Sequence, residues 1–543
     1  MTSRLRLATG GLLGAAALIA VVTVVSRVLG FVRSLVFGAT VGFDAVADAY
    51  NAANTLPNVV FEVAAGGALA GAVIPVLAIP LARGLRAEVD RTASALVGWV
   101  LAVLVPLAAV LAALAYPVAG IVSRDAAGRS LVAGLLAVFA LQVPLYGLAV
   151  VLSGVLQAQK RFFWPAFAPV MSSVVVIGSY LAFAAVAQGS QTDPAALPAA
   201  GFAWLAWGTT AGVAALSLPL LVPVHRSGVR LRPTLRFPDG TGARVRSLAL
   251  AGLGGLLAQQ VAVLVALLLA TRFGERSTYS VYVAAQQVYL LPYAVLAVPL
   301  ATSTFPRLAE RAGAADRSRF AHLAARSTRL VALVSLVGVA ALVAAAEAVA
   351  GVFVGIGIGE AERIAAMGPA LAWTASGLLG LGLLFHVSRA LFALERGRLA
   401  VTATAVAWLG VVAASVVACL VLVGGTQDGP RTLVALGLGA SVGMTLGAVA
   451  VLTALRRAAG SAALVGVART LAVGVLGAAA GAAAGRWITV TVADLVGESI
   501  ATWVLAGGGG ALLAGAVVLA VSWLGDRSTF AGVGARLEGA RRA

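Results

Sequence analysis

One cysteine in 543 residues, Cys419, excludes an intramolecular disulfide and any cysteine-based metal site. The three histidines, His225, His322 and His386, are far apart and read as lying in or near basic connections. There is no H-E-x-x-H stretch, no phosphate-binding P-loop and no G-x-G-x-x-G followed by an acidic residue. Charge is scarce too. Only 11% of the residues are charged, against about a quarter in soluble domains. A membrane glycosyltransferase needs paired carboxylates on a sizeable extramembrane loop. The polar segment 225–246 holds one acidic residue, Asp239. No catalytic residue, metal site or cofactor is therefore nominated, and the chain does not read as an enzyme.

What it has is apolar length. Hydrophobic residues make up 61% of the chain and the mean hydropathy is +1.02. A bilayer takes about 20 apolar residues to cross. Fourteen runs qualify, at 9–25 (continuing toward 38), 49–78, 94–117, 131–156, 163–187, 201–224, 247–271, 279–305, 330–355, 366–392, 399–423, 432–455, 468–490 and 499–523. The 63 glycines suit helices packed closely in lipid. The expectation is an all-α polytopic membrane protein of about fourteen spans. Arg4 and Arg6 before the first run, with an A-x-A in "AVADA", imitate a signal peptide. That site lies too far beyond a normal apolar region, so the first run is read as a retained span.

The basic residues set an orientation. Of 38, only one is Lys; 29 fall at the N-terminus, in or at the edges of the even-numbered connections, or in the C-terminal tail. The positive-inside rule then makes both termini cytoplasmic, in a bacterial cytoplasmic membrane. The net charge of +18 reads as topology plus attraction to anionic membrane lipids. Nucleic acid is not an implied partner.

The chain also repeats. "NTLPNVV" at 54–60 matches "YLLPYAV" at 289–295, and "VLQAQKRF" at 155–162 matches "ALFALERG" at 390–397, both at an offset of 235. Six spans per copy give both copies one orientation, a parallel repeat with a substrate site expected between the halves. The expected division is an N-lobe at 1–224, a basic cytoplasmic linker at 225–246, a C-lobe at 247–457, two extra spans within 458–525 and a cytoplasmic tail at 526–543.

Polar residues inside the spans nominate the site. In span two, Asp48, Asn51, Asn54, Thr55, Asn58 and Glu62 share one stripe about 120° wide at 100° per residue. In span eight, Tyr279, Tyr282, Gln286, Tyr289 and Tyr293 share an arc of about 80°. The bland alternatives are interhelical hydrogen bonding for the first and an interfacial aromatic belt for the second. A belt does not account for a stripe about 21 Å tall. Span one carries Arg27 and Arg33, each costing roughly 2.5–3.5 kcal/mol in hydrocarbon. A hydrated cavity would accommodate them, and guanidinium suits phosphate. An anionic, phosphorylated substrate is the leading expectation. Simple pairing of the arginines with Asp48 and Glu62 is the alternative, and an empty cavity is expected to show Glu62 paired with one of them.

"SRVLGFVRSLVFGATVGFDAVADAYNAANTLPN…GGALAGAVIP" and "RFFWPAFAP" at 161–169 resemble the MurJ/MviN family of lipid II flippases, in the multidrug/oligosaccharidyl-lipid/polysaccharide exporter superfamily. The resemblance implies two six-helix lobes around a cationic cavity, two extra helices forming a lipid-tail groove, and alternating access for undecaprenyl-pyrophosphate-linked peptidoglycan precursor. It places Arg27, Arg33 and Asp48 where that family has functionally important residues. Phe61, Glu62 and Gly66 before Gly67 depart from the family pattern, as does Gln287, which stands at an arginine position of span eight. A sodium site known in some members finds no support, because Glu347 and Glu395 read as lying near span ends. The candidate substrate contacts are Arg27, Arg33, Asp48, Asn51, Asn54, Asn58, Glu62, Tyr282, Gln286, Gln287 and Tyr289. Alternative readings are a flippase for another polyprenyl-linked glycan, a multidrug cation antiporter, and a non-transporting scaffold that partners cell-wall synthesis or division proteins.

Overall fold

The structure, a computed structural model, describes residues 2–66, 70–187, 189–238, 240–251, 253–314 and 316–530. Gly67, Asp239 and the tail beyond 530 lie outside the described residues. Among the described residues there is no strand. Twelve helices are long and apolar enough to cross a bilayer, and a thirteenth span is the bent pair Ala361–Ala375 and Gly377–Ala393. The remaining expected span, 49–78, is not one such helix. It runs as Ala45–Phe61, a π-helical turn Glu62–Gly66, and a further helix Ala70–Ala82.

The break has a local cause. Proline has no backbone N–H to donate and its ring crowds the preceding turn. Pro57 lies inside the first segment, while Pro75 and Pro80 lie in the last. Span eight repeats the pattern: Thr278–Pro292, a π-turn Tyr293–Ala297, then Val298–Gly313. Pro57 and Pro292 are separated by the repeat offset of 235. The second span of each copy therefore opens just beyond an equivalent proline. Such π-turns gather at functional sites.

The chain forms two compact units, Met1–Gln260 and Val261–Ala543. In the first, the basic segment after span six is no loose linker. Its backbone is fastened along the helix Arg86–Ala113: the Arg230 amide donates to Asp90 (3.1 Å), the Arg232 amide to Ser94 Oγ (2.9 Å), and the Trp99 indole to the Leu235 carbonyl (2.9 Å). Gly98 permits the approach, since a Cβ there would collide with the backbone of Thr234. Val229 and Val245 enter the apolar core, with Leu231 and Phe237 packed against it, while Arg230, Arg232 and Arg236 stay exposed.

In the second unit, spans eleven (Gly397–Leu422) and twelve (Gly429–Ala459) meet along Gly439, Gly443 and Gly447. This four-residue spacing of small residues brings backbones together in lipid, where no hydrophobic force does so. Spans nine (Arg317–Ile356), thirteen (Val467–Val496) and fourteen (Ile500–Gly525) share a core of Leu333, Leu336, Ala340, Ala344, Ala478, Ala514 and Val518. An ion pair, Arg486 Nη2 to Glu347 Oε1 at 2.8 Å, joins spans thirteen and nine within their length. Glu347 is thus nine residues inside its helix and committed to this pair, not at a span end.

Just past span fourteen, buried Asp526 accepts hydrogen bonds from Thr470 Oγ1 (2.5 Å), Ser528 Oγ (2.6 Å) and Thr529 Oγ1 (2.7 Å). Arg329 of span nine donates to Ser528 (3.0 Å). Burial pushes the Asp526 carboxyl up, but the three hydroxyl donors and the charge of Arg329 outweigh it and hold the group below its ordinary value.

Two outcomes follow. Gly443→Leu sets a side chain against the Val411 backbone and should destabilise by about 1–3 kcal/mol, read as a lower thermal midpoint in detergent, while Gly508→Ala, into open space, leaves it unchanged. The Asp526 carboxylate contributes fully at neutral pH and loses its contribution as pH falls through its depressed folded pKa. Asp526→Asn should therefore lower the midpoint at pH 7, and its gap to the unsubstituted protein should narrow as pH is lowered.

Candidate functional site

In the first unit, span two sets a satisfied tyrosine next to a polar stripe that is not satisfied. Tyr50 faces the interior: its hydroxyl meets Tyr180 OH (2.8 Å) and Thr209 Oγ1 (2.9 Å), and its ring packs among Phe37, Phe139 and Tyr180. The nominated stripe begins about 40° further round the helix, at Asn54. Asp48, Asn54, Thr55, Asn58 and Glu62 are half-buried; Asn51 is 9% exposed. Asn58 Nδ2 donates to the Asn54 carbonyl (2.8 Å) and Thr55 Oγ1 to the Asn51 carbonyl (2.7 Å). Asn51 Nδ2 and Asn54 Oδ1 are buried without a hydrogen-bond partner among the described residues. An orphaned polar group costs about 1–3 kcal/mol. Two on one stripe mark a surface that its own fold does not satisfy.

Of the arginines, Arg27 is exposed and Arg33 half-buried. Arg33 lies near enough to the hydroxyls of Tyr50, Tyr146 and Tyr180 to act on them electrostatically. Among the described residues neither arginine forms an ion pair, and neither does Glu62. The expected pairing of Glu62 with Arg27 or Arg33 is not formed. Glu62 opens the π-turn, where the regular helical phase that put it on the stripe ends. Next to it, Phe61 lies over Tyr146 at 4.8 Å.

In the second unit, Tyr279 and Tyr282 stack at 6.2 Å, and Tyr282 and Gln286, one helical turn apart, are both half-buried. Gln287 is exposed. Tyr289 departs from the expected wall: it is 5% exposed, its hydroxyl against Gly377 at the bend of span ten. Gly377 carries no side chain and its amide binds Ser441, so the neighbouring spans close over the tyrosine. His386 also departs from its reading. It is buried inside Gly377–Ala393, its Nε2 2.9 Å from Ser327 Oγ.

The stripes correspond. Asn51, Asn54 and Asn58 lie 235 residues before Gln286, Tyr289 and Tyr293. Wheel arithmetic on each span alone did not reveal this. Sequence reasoning also passed over Tyr50, which lies on its wheel outside the polar stripe, and Arg389, which lies near the end of the run 366–392 and was not nominated. The structure sets Arg389 inside that span.

The family described as "Lipid II flippase MurJ" matches residues 37–517. The chain belongs to that family. A relative from Rhizobium meliloti (strain 1021), named probable lipid II flippase MurJ, is 28% identical over 372 residues, 66% of each chain. One from Rhizobium tropici with the same name is 27% identical over 369 residues, again 66% of each. The matched segment thus spans just under two thirds of these relatives' length. A structure of lipid II flippase MurJ in an inward closed conformation superposes with a TM-score of 0.72 at 16% identity, covering 95% of this chain and all of that one. An inward-facing multidrug resistance MATE transporter of the MOP superfamily gives 0.65 at 14%, covering 80% and 96%. These likenesses establish the fold, that of MurJ and MATE transporters.

Tyr50 and the stripe of span two separate in a stability measurement. Tyr50→Phe strands Tyr180 and Thr209 and should lower stability by about 1–3 kcal/mol. Asn54→Ala, on the stripe, should leave the thermal midpoint at or above that of the unsubstituted protein.

Proposed function

We propose that this protein moves lipid II, the undecaprenyl-pyrophosphate-linked peptidoglycan precursor, from the inner to the outer leaflet of the bacterial cytoplasmic membrane by alternating access, with both termini cytoplasmic. The observation that carries the reading is the half-buried Arg33, without an ion pair among the described residues, in the same unit as a stripe on which Asn51 and Asn54 are orphaned. A guanidinium kept in a membrane span without a carboxylate partner is poised for a mobile anion. Its planar donors match a phosphate bidentately. Membership of the MurJ family names the anion, and solved proteins of this fold in inward closed and inward-facing states support alternating access.

Arg27 and Arg33 supply the charge. Asp48, Asn51, Asn54 and Asn58 supply the hydrogen bonds of the first half, and Tyr282, Gln286 and Gln287 those of the second. Glu62, at the end of the same stripe, opposes the substrate's charge and so favours its release. No ATP-binding motif is present, so the work comes from gradients, membrane potential or consumption of the product. Phe61, Glu62 and Gln287 reduce the positive charge relative to the family pattern. This favours a second reading with the same chemistry, a different polyprenyl-linked glycan.

Depleting the protein should make lipid II accumulate on the cytoplasmic leaflet. Accumulation of another lipid-linked glycan selects the second reading, and accumulation of none sinks both. Arg33→Ala removes a charge-assisted contact of about 1.5–3 kcal/mol and should reduce transport roughly 10- to 100-fold with normal membrane insertion. Cysteines at 27 and 33 should react with a membrane-impermeant thiol reagent in at least one state. Inertness throughout would remove the cavity from the argument.

A further inference from the structure

We infer that Arg389 is a second-half contact for the substrate's phosphate group, an inference that rests on the proposed function. Arg389 is half-buried near the end of Gly377–Ala393. An arginine close to a span end ordinarily extends its side chain outward, toward the headgroups. This one turns the other way. Its guanidinium carbon lies 4.2 Å from the ring centroid of Phe385, one helical turn deeper in the same span. Phe385 in turn meets Tyr293 edge-on, with centroids 5.6 Å apart and an interplanar angle of 79°. Tyr293 opens the π-turn of span eight and is the repeat counterpart of Asn58, the deep member of the span-two stripe. The charge is therefore held, through one ring, at the corresponding end of the span-eight stripe.

Three further observations separate this from a packing role. No carboxylate among the described residues pairs with Arg389. A ring face holds a guanidinium without consuming its N–H donors, so the fork remains available for an anion. The first half draws its cations from span one, yet the positions of span seven 235 or 236 residues after Arg27 and Arg33 are all apolar: Ala262, Val263, Leu268 and Leu269. Position 287 in span eight is a glutamine. Arg389 is thus the cation that the second half brings to its stripe, and it comes from span ten. Its own repeat counterpart is Gly154, so the first half has no equivalent.

The test uses the full-length protein in nanodiscs, with lipid II and the uncharged undecaprenol as probes. Arg389→Gln should weaken lipid II binding at least tenfold while undecaprenol binding stays within twofold, and Arg389→Lys should fall between. A folded Arg389→Gln protein that binds lipid II as well as the unsubstituted one overturns the inference and leaves the proposed function standing. If the unsubstituted protein fails to bind lipid II, both fall. Should Arg389→Gln not fold, the unsubstituted protein decides: lipid II should slow phenylglyoxal modification of Arg389, read by mass spectrometry, at least fivefold, and an equal rate with and without lipid II overturns the inference.

Discussion

The cost of leaving a charge or a polar atom unanswered in hydrocarbon governs where everything hydrophilic in this chain is placed. Three different solutions are seen among the described residues. Glu347 and Arg486 answer each other across two spans. Arg389 lies on the face of a phenyl ring. Arg33 acts on three tyrosine hydroxyls and forms no ion pair with a carboxylate among the described residues. The first solution closes a site and the other two leave one open. That difference, and not charge alone, separates residues that fasten helices from residues available to a ligand.

The same constraint divides each polar helix by face. Span two puts Tyr50 into a satisfied network and leaves Asn51 and Asn54, about 40–100° further round, with buried polar atoms that lack a partner among the described residues. Small residues do the fastening where no polar contact is spent. The glycines of span twelve bring two backbones together, and Gly98 lets an arginine-bearing segment lie along a helix with its apolar side chains inward and its charges outward.

Much of this was legible in the residues. Apolar run lengths located the helices, and "SRVLGFVR" with "LPN" located the family. Both rest on local composition, which one sequence reports fully. Contacts between distant segments were not legible. That Tyr289 is covered by Gly377 and Ser441, that His386 is buried against Ser327, and that residues 229–237 are fastened to a helix more than a hundred positions earlier all depend on which helices become neighbours. Glu62 failed for a subtler reason. A helical wheel assumes constant pitch, and the pitch changes at that residue.

That change of pitch has a mechanical meaning. A π-turn holds one residue more than an α-helix of the same height would need. Drawing that residue into regular α geometry would advance the segment beyond it by about 1.5 Å and rotate it by about 100°, with nearly all backbone bonds intact. The second span of each half therefore carries a small reserve of rotation. A helix with such a reserve can re-aim its polar face like a key turned in place, without leaving the membrane or unwinding.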